Sequence, residues 1–360
     1  MKMSQLLATL STKLIHKEKV ALATVVSASG SAPQTPGSMA LFGADGLIAG
    51  TIGGGPAEYQ VMLKAKEALR TRKSEILKFN LAGIPGGDSD SICGGTMSIL
   101  LDAQPHLHRE VWSQINMEVA EHNNGVLFSI LLDGIDNIFR IRRFWIVNGE
   151  VSQLPEEFRE VAAMALQGMN AQETRVPCRF LEFPYQITGT KSVWFFLQPV
   201  IPPPSLVIAG AGHVGKAVAH VGKFLGYEVT IWDDRPDFAH PSHCPDADHH
   251  FTGPFEEFTR QLSINDHTWL VIVTRGHQFD AVVLREWIKT SPAYLGMMGS
   301  RSKVAQLRDL FLSKGWASEE EWNRVHTPIG FKIGAKTVEE IAISIAAELV
   351  QEKYKNVIGH

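Results

Sequence analysis

Apolar and polar positions follow different patterns in the two halves of the chain. After residue 204, short apolar runs alternate with segments in which apolar residues recur at helical spacing. Such alternation is typical of βαβ units and predicts a doubly wound α/β domain with a parallel sheet. The predicted strands are 206–209, 228–232, 269–274 and 293–297, and the predicted helices are 213–225, 281–289, 303–312 and 337–350.

The first half mixes the two patterns and predicts an α+β domain with a partly antiparallel sheet. Residues 1–19 have the leucine spacing of an amphipathic helix. The predicted strands are 20–26, 38–42, 76–80, 96–101, 126–132 and 139–147, and the other helices are about 57–71, 109–122 and 156–169.

Four prolines between residues 199 and 204 mark the boundary between the halves. Proline has a fixed φ and no backbone N–H, so we expect a stiff, extended connector that forms neither helix nor paired strand. The sequence thus predicts an N-terminal domain at 1–198, a proline-rich linker at 199–204 and a Rossmann-like C-terminal domain at 205–360.

Composition narrows the class of protein. The 360 residues are 44% hydrophobic, which is enough for two domains with their own cores and excludes a disordered chain. The net charge is −4 without a run of five like charges, so nucleic acid is not an expected partner. No apolar run approaches the roughly 18–20 residues of a membrane span. Cys93, Cys178 and Cys244 are too few and too far apart for a disulfide framework and fit a cytoplasmic setting.

A glycine-rich turn at 210–215 follows the first predicted strand of the second half and opens a helix, the context that a dinucleotide-binding turn requires. Gly210 would permit the tight turn, Gly212 would let a pyrophosphate approach the backbone, and Gly215 would let the helix pack closely on the sheet. The pattern predicts a site for a dinucleotide or nucleotide-like ligand, NAD(P) among them. Another phosphorylated ligand, or an empty pocket, is the alternative.

Polar residues follow other strands at the same predicted sheet edge. Asp233 and Asp234 end the second strand, where a carboxylate can accept hydrogen bonds from a ribose. His213, inside the glycine turn, is a candidate contact for the phosphate of the ligand. A helix start further on carries a hydroxyl and two cations that suit a phosphate clamp, although solvated surface residues are the alternative. These three residues are Ser300, Arg301 and Lys303.

Glycines also cluster in the first half. Gly53, Gly54 and Gly55 precede the helix predicted to start near residue 57, so exposed N–H groups there could cradle an anion. Gly94 and Gly95 form another turn directly after Cys93, where neighbouring N–H groups could lower the pKa of the thiol. The pattern suggests a polar ligand surface with a reactive cysteine. Turns joining short strands, with an inert buried cysteine, are the alternative.

Histidine and cysteine residues are frequent between residues 240 and 250. Their spacing matches no standard zinc pattern, so we interpret the segment as a loop and predict no metal site there.

The order of these motifs resembles that of the XdhC/CoxI family, whose members are accessory proteins of molybdenum hydroxylases such as xanthine dehydrogenase. The resemblance extends over both halves. In the first half it rests on 23–26, 30–33, 36–37, Met39, 53–55 with Glu58, and 93–95. In the second half it rests on 210–215, 233–235, 296–301 with Lys303, 328–330, 333–335 and 339–342.

The resemblance implies a cofactor chaperone rather than a self-contained enzyme. Such a protein would bind molybdenum cofactor (molybdopterin), protect it while a cysteine desulfurase supplies its sulfido ligand, and deliver it to a xanthine dehydrogenase-type hydroxylase. The implied cofactor-binding residues include Glu58 and Arg235 beside the glycines and polar residues named above, and Cys93 is the candidate contact for sulfur or metal. Pro56 departs from the family, which commonly has a cysteine there, and this puts a two-thiol mechanism in doubt.

Two other classes of protein stay open at this point. An NAD(P)-binding oxidoreductase is motivated by the 210–215 turn with Asp233, but three cysteines cannot hold the two iron–sulfur clusters of a self-contained xanthine dehydrogenase. A small-molecule-binding or redox-sensing module would rely on Cys93 without molybdenum. A homodimer would be the commonest soluble assembly.

Overall fold

The computed structural model describes residues 3–81, 94–134, 138–167, 169, 177–183 and 192–355. The chain divides into two compact units, Met1–Pro202 and Pro203–His360. Within the described ranges, no helix has both the length and the apolar character that a bilayer span needs.

The first unit is built on two antiparallel sheets. In spatial order, the first sheet contains β3 (Gly46–Gly50), β2 (Met39–Gly43), β1 (Ala21–Ser29), β5 (Thr96–Asp102) and β4 (Glu75–Asn80). The second contains β7 (Phe139–Ile146), β6 (Gly125–Asp133), β9 (Ser192–Val200) and β8 (Arg179–Phe183). The helices are α1 (Met3–Ile15), α2 (Gly55–Thr71), α3 (Arg109–Ala120) and α4 (Glu156–Leu166), with a 3-10 turn at Pro105–His108.

Helices α1 and α3 pack between the two sheets of this unit. Leu10 of α1 and Trp112 of α3 share one core cluster with Leu22 of β1 and Leu127 of β6. Helix α2 covers the other face of the first sheet through its small apolar positions, among them Val61. The burial of apolar stripes on one side of each helix is the main source of stability for such a layered unit.

The second unit is a five-stranded parallel sheet with helices on both faces. In spatial order its strands are β12 (His249–Thr252), β11 (Glu228–Asp233), β10 (Ser205–Ala209), β13 (Thr268–Ile272) and β14 (Tyr294–Met297). The helices are α5 (His213–Phe224), α6 (Phe255–Gln261), α7 (His277–Trp287), α8 (Arg301–Ser313), α9 (Glu319–Asn323) and α10 (Val338–Tyr354).

The central strand β10 is apolar without alternation because both of its faces are covered. Leu206 and Ile208 belong to the core that includes α5 and α10, whereas Val207 and Ala209 belong to the core that includes α7 and α8. Continuous apolar strands of this kind are typical of parallel sheets buried on both faces. The Rossmann-like, doubly wound fold predicted for the second half is therefore confirmed, and the mixed α/β class with it.

The structure corrects the prediction in two places. Pro199 lies inside β9, opposite Val126, so residues 199–200 are strand rather than connector. Strand β8 pairs with β9 only as far as Leu197, and a proline beyond that point interrupts no bond to β8. His249 and His250 begin β12, so the end of the predicted 240–250 loop is an edge strand. Strands β3, β8 and β9 and helices α6 and α9 are additional to the predicted elements.

Candidate functional sites

The turn between β10 and α5 needs glycine at two positions for steric reasons alone. Gly210 has a φ of +113°, and a Cβ there would lie 2.5 Å from the carbonyl oxygen of Val273. A Cβ on Gly215 would overlap the carbonyl oxygen of Gly210. Both glycines therefore set the tight turn and the close approach of helix and sheet, as predicted for this motif.

Gly212 has a different environment from these two glycines. It caps the N-terminus of α5 with a φ of −68°, and a Cβ built on it meets no protein atom within 4 Å. Backbone strain and internal packing therefore do not explain a glycine here. The open space lies beside the first N–H groups of α5, which attract anions, and the exposed His213 is the first residue of that helix.

Asp233, at the end of β11, is buried and fully engaged by protein donors. Its Oδ2 accepts hydrogen bonds from the Ala211 N–H at 2.8 Å and from Arg235 Nη2 at 3.0 Å, and its Oδ1 accepts from Arg235 Nε at 2.8 Å. Burial alone would raise the pKa of the Asp233 carboxyl, but the hydrogen bonds from Arg235 and Ala211 outweigh it and lower that pKa. Asp233 thus fixes the glycine turn to Arg235 and could reach a ribose only by giving up these partners.

Asp234 connects the carboxyl ends of two strands. Its Oδ2 accepts a hydrogen bond from Arg275 Nη2 at 2.6 Å, which joins the loop after β11 to the loop after β13. Arg235 also places its guanidinium carbon 3.5 Å from the centre of the Phe238 ring. The cationic groups on this edge of the sheet are therefore held in defined positions.

The three residues of the predicted phosphate clamp have different interactions in the structure. Lys303 forms an ion pair with the buried Asp280 and donates to the Met298 carbonyl at 3.2 Å. The Ser300 hydroxyl caps α8 by accepting from the Lys303 N–H at 3.3 Å. Arg301 is exposed and has no ion-pair partner within the described part of the chain. Arg301 is therefore the cation of the trio that can reach a ligand without breaking an existing bond.

Asp280 belongs to this network of side chains but was not among the residues predicted from the sequence. Its side chain is 1% exposed, and it also accepts a hydrogen bond from Thr274 Oγ1 at 2.6 Å. Asp280 lies 23 positions from Lys303 along the chain, so no local motif could have paired them.

The predicted anion cradle at the start of α2 is filled by the protein itself. Glu58 Oε2 accepts hydrogen bonds from Thr51 Oγ1 at 2.8 Å, from the Ile52 N–H at 3.0 Å and from the Gly54 N–H at 3.3 Å. A carboxylate is favourable at a helix N-terminus for the same reasons that an external anion would be. Glu58 therefore binds backbone N–H groups that were predicted to be available to a ligand.

Three glycine-containing turns of the first unit nevertheless converge. A Cβ on Gly53 would lie 2.6 Å from Pro33 Cγ, and a Cβ on Gly30 would lie 3.0 Å from the Gly95 Cα. At Gly54, Gly55 and Gly94, by contrast, a Cβ would enter open space. The turns thus form a small-residue surface, which we call the glycine surface. Cys93, which precedes Gly94 in the sequence, lies outside the described residues.

The other two cysteines are poor nucleophiles. Cys178 Sγ lies 2.8 Å from the position of a Cβ on Gly37, and burial raises the pKa of its thiol to about 12. Cys244 is 1% exposed, and burial raises the pKa of its thiol as well. Since the thiolate is the reactive form, neither supplies a second reactive sulfur.

Histidines of the 240–250 segment have separate partners. His249 Nε2 lies 2.8 Å from Glu228 Oε1, and His250 Nε2 lies 2.8 Å from the Cys244 carbonyl oxygen. Among the described residues, no three His, Cys, Asp or Glu side chains are grouped to hold a metal ion.

These features define a class of protein: an α+β unit with a glycine surface, followed by a Rossmann-type unit whose first βα turn is open to a ligand. Two family models match the chain, the XdhC Rossmann domain over residues 206–349 and the XdhC and CoxI family over residues 15–80. The chain therefore belongs to the XdhC and CoxI family.

The chain aligns over nearly its whole length with two related proteins and one solved structure. It is 24% identical over 346 residues to a protein of Bacillus subtilis (strain 168) named as a probable subunit of xanthine dehydrogenase, with 94% of this chain and 95% of that protein covered. It is 25% identical over 334 residues to the uncharacterized protein YqeB of Escherichia coli (strain K12), and this match covers 92% of the chain but only 43% of that longer protein. A crystal structure described as a xanthine dehydrogenase from Bacillus halodurans shares the fold, with a TM-score of 0.77, 22% identity, and coverage of 99% of this chain and 97% of that one.

Proposed function

We propose that this protein binds molybdenum cofactor, supports its sulfuration and delivers it to a xanthine dehydrogenase-type molybdenum hydroxylase. Membership of the XdhC and CoxI family supports an accessory role related to xanthine dehydrogenase. Beyond this accessory role, we propose that the ligand is molybdenum cofactor, that a cysteine desulfurase donates the sulfur and that the hydroxylase receives the cofactor.

The open position at Gly212 is the observation that carries the proposal. The cofactor is a pterin dithiolene bearing a phosphate, sometimes extended to a dinucleotide. A phosphate can approach the α5 N-terminus only where no side chain intervenes, and a Cβ on Gly212 would fill otherwise open space. Arg301, at the same edge of the sheet, supplies a cation suited to a phosphate oxygen.

The hydrogen bonds of Asp233 favour molybdenum cofactor over NAD as the ligand of the glycine turn. A nicotinamide dinucleotide site of the usual type uses the carboxylate after the second strand to hold the ribose. Here Arg235 and the Ala211 N–H already occupy that carboxylate. Phosphate recognition at the glycine turn needs no direct contact with Asp233, so these hydrogen bonds leave it possible.

The glycine surface of the first unit is the proposed contact for the metal-bearing part of the cofactor. Gly54, Gly55 and Gly94 leave open space for a flat ligand, and Cys93 is the proposed contact for sulfur or molybdenum. With Pro56 in the family's cysteine position, the proposal needs one thiol only.

Purification from a molybdenum-replete host tests the proposal. We expect anaerobically purified protein to contain molybdenum by elemental analysis and a pterin phosphate by mass spectrometry. Cys93→Ala should lose much of the molybdenum, whereas Cys178→Ala, at a half-buried thiol whose pKa is raised to about 12, should retain it. Wild-type protein without pterin would overturn the proposal, and equal metal content in all three proteins would remove Cys93 from it.

A further inference from the structure

A second concave site lies in the first unit, outside the glycine surface. It is a cavity of about 420 Å³ formed where α1 and α2 end, β1 begins and α3 starts. This volume is in the range of small-molecule sites, which run from roughly 300 to 1,000 Å³.

The floor of this cavity is apolar. Leu14 and Val20 are 2% and 3% exposed, and Ala103 and the half-buried Leu69 complete the lining below the rim. An apolar floor favours a ligand with a hydrophobic ring or chain, because burial of that part removes apolar surface from water.

The rim of the cavity is strongly cationic. Lys17, Lys19, Arg72 and Arg109 line it and are all exposed. Glu18 is the acidic lining residue, and its carboxylate already accepts a hydrogen bond from Lys13 at 2.8 Å. Over the described ranges, no ion pair joins any of the four rim cations to an acidic side chain.

Helix dipoles explain only part of this charge. Lys17 and Arg72 follow the C-termini of α1 and α2, where the partial negative charge of the helix stabilises cations. Arg109, however, is the first residue of α3, where the dipole is positive and a cation is unfavourable. Lys19 lies in the segment that leads into β1. An excess of positive charge therefore remains that a bound anion would relieve.

The cavity is separate from the glycine surface. The cavity adjoins the first residues of β1 and the end of α2, whereas the glycine turns follow the end of β1 and precede α2. Helix α2 has 17 residues and is therefore about 25 Å long. The two features lie at opposite ends of the same elements.

We propose that this cavity binds an organic phosphate, with the phosphate between the rim cations and the apolar part on the floor. Ammonium and guanidinium groups are suited to a dianionic phosphate, and Arg109 can bind it through two N–H groups. This site is independent of the proposed molybdenum cofactor function and of the open position at Gly212.

Calorimetric titration of the full chain with 1-naphthyl phosphate at constant ionic strength tests the proposal. We expect saturable binding with one ligand per chain at this cavity, and weaker binding of both inorganic phosphate, which lacks the ring, and 1-naphthol, which lacks the charge. Arg109→Glu and Lys19→Glu should each weaken the affinity at least tenfold. Lys78→Glu, the same charge reversal at an exposed lysine of β4 outside the lining, should leave it within twofold.

The controls separate binding at this cavity from a general charge effect and from binding in the second unit. Thermal unfolding checks whether each variant is folded, and Lys19→Glu, in an exposed connecting segment, provides the test if Arg109→Glu fails to fold. An equal loss of affinity in Lys78→Glu would show a general charge effect and overturn the proposal. Loss of binding in Gly212→Val with retention in Arg109→Glu would assign the ligand to the second unit and overturn it as well.

Discussion

The side chain of Asp233 has a structural role, because it holds the glycine turn in place. Its buried carboxylate satisfies the N–H of Ala211, which is itself fully buried, and is paired with Arg235. The sequence alone assigns this carboxylate to a ribose, because that assignment depends only on its position after the strand. The position was predictable, but the partner two residues later was not, because Arg235 could equally have pointed into solvent.

Replacement of Asp233 tests this structural role. We expect Asp233→Ala to lower the free energy of unfolding by about 2–3 kcal/mol, because it leaves the buried Ala211 N–H and the Arg235 guanidinium without their acceptor. Asp234→Ala, which breaks an exposed pair with Arg275, should cost about 0–1 kcal/mol. Urea unfolding measures both, and equal losses would contradict the role given to Asp233.

His108 is a second residue whose environment sets its chemistry. Burial and the nearby Arg143 guanidinium lower the pKa of His108 to about 4, although the Asp102 carboxylate opposes them. Arg143 and Asp102 form an ion pair with both side chains almost completely buried. The imidazole is therefore neutral in the folded protein over the range in which a free histidine becomes charged.

This depressed pKa predicts a loss of stability in mild acid. Between about pH 6.5 and pH 4 the unfolded chain binds a proton at His108 that the folded chain does not, so the free energy of unfolding should fall as pH falls through this range. His108→Gln should remove that part of the slope, whereas His106→Gln, at an exposed histidine, should keep it. Urea unfolding at pH 7 and pH 5 measures the slope, and identical slopes in all three proteins would refute the assignment.

At the scale of elements, the loop before α8 is held by a buried charge pair. Lys303 reaches back from the first turn of α8 to Asp280 on α7, and Thr274 completes the network after β13. Removal of one partner of a buried ion pair is costly because the other charge stays buried. This pair therefore fixes the start of α8, the helix that begins with the exposed Arg301.

Substitution of Lys303 should lower stability, whereas substitution of Arg301 should weaken ligand binding. Lys303→Met should lower the free energy of unfolding by about 3–5 kcal/mol, since Asp280 is left as a buried unpaired carboxylate. Arg301→Met should change stability by less than about 0.5 kcal/mol but weaken binding of the phosphorylated ligand. Unfolding and binding measured on both variants test the division of roles, and a stable Lys303→Met protein with reduced affinity would reverse it.

The elements themselves differ in how far the sequence determines them. Strand β10 and helix α5 were predictable because burial on both faces and the glycine turn leave clear local patterns. The edge strand β12 was not, since His249 and His250 pair with only one neighbouring strand and carry polar side chains. The capture of backbone donors by Glu58 was also hidden, because it depends on how the loop before α2 folds back.

At the scale of the whole molecule, two units offer ligand surfaces of different chemistry. The second unit presents helix N–H groups and Arg301 at one sheet edge, which suit a phosphate. The first unit presents the glycine surface next in sequence to Cys93, which suits a flat, metal-bearing group. Each surface thus suits one chemical part of the cofactor in the proposed function.

Calorimetric binding of molybdenum cofactor to wild-type protein, Gly212→Ala and Gly212→Val tests whether the open position at Gly212 receives the phosphate of the cofactor. The added Cβ meets no protein atom within 4 Å, so both variants should fold and should lose only the small stability that glycine gives at the N-cap of α5, which thermal unfolding measures. We expect affinity to fall in the order wild type, Gly212→Ala, Gly212→Val, with at least a tenfold loss in the last. Equal affinity of all three folded proteins would show that the phosphate does not bind at Gly212.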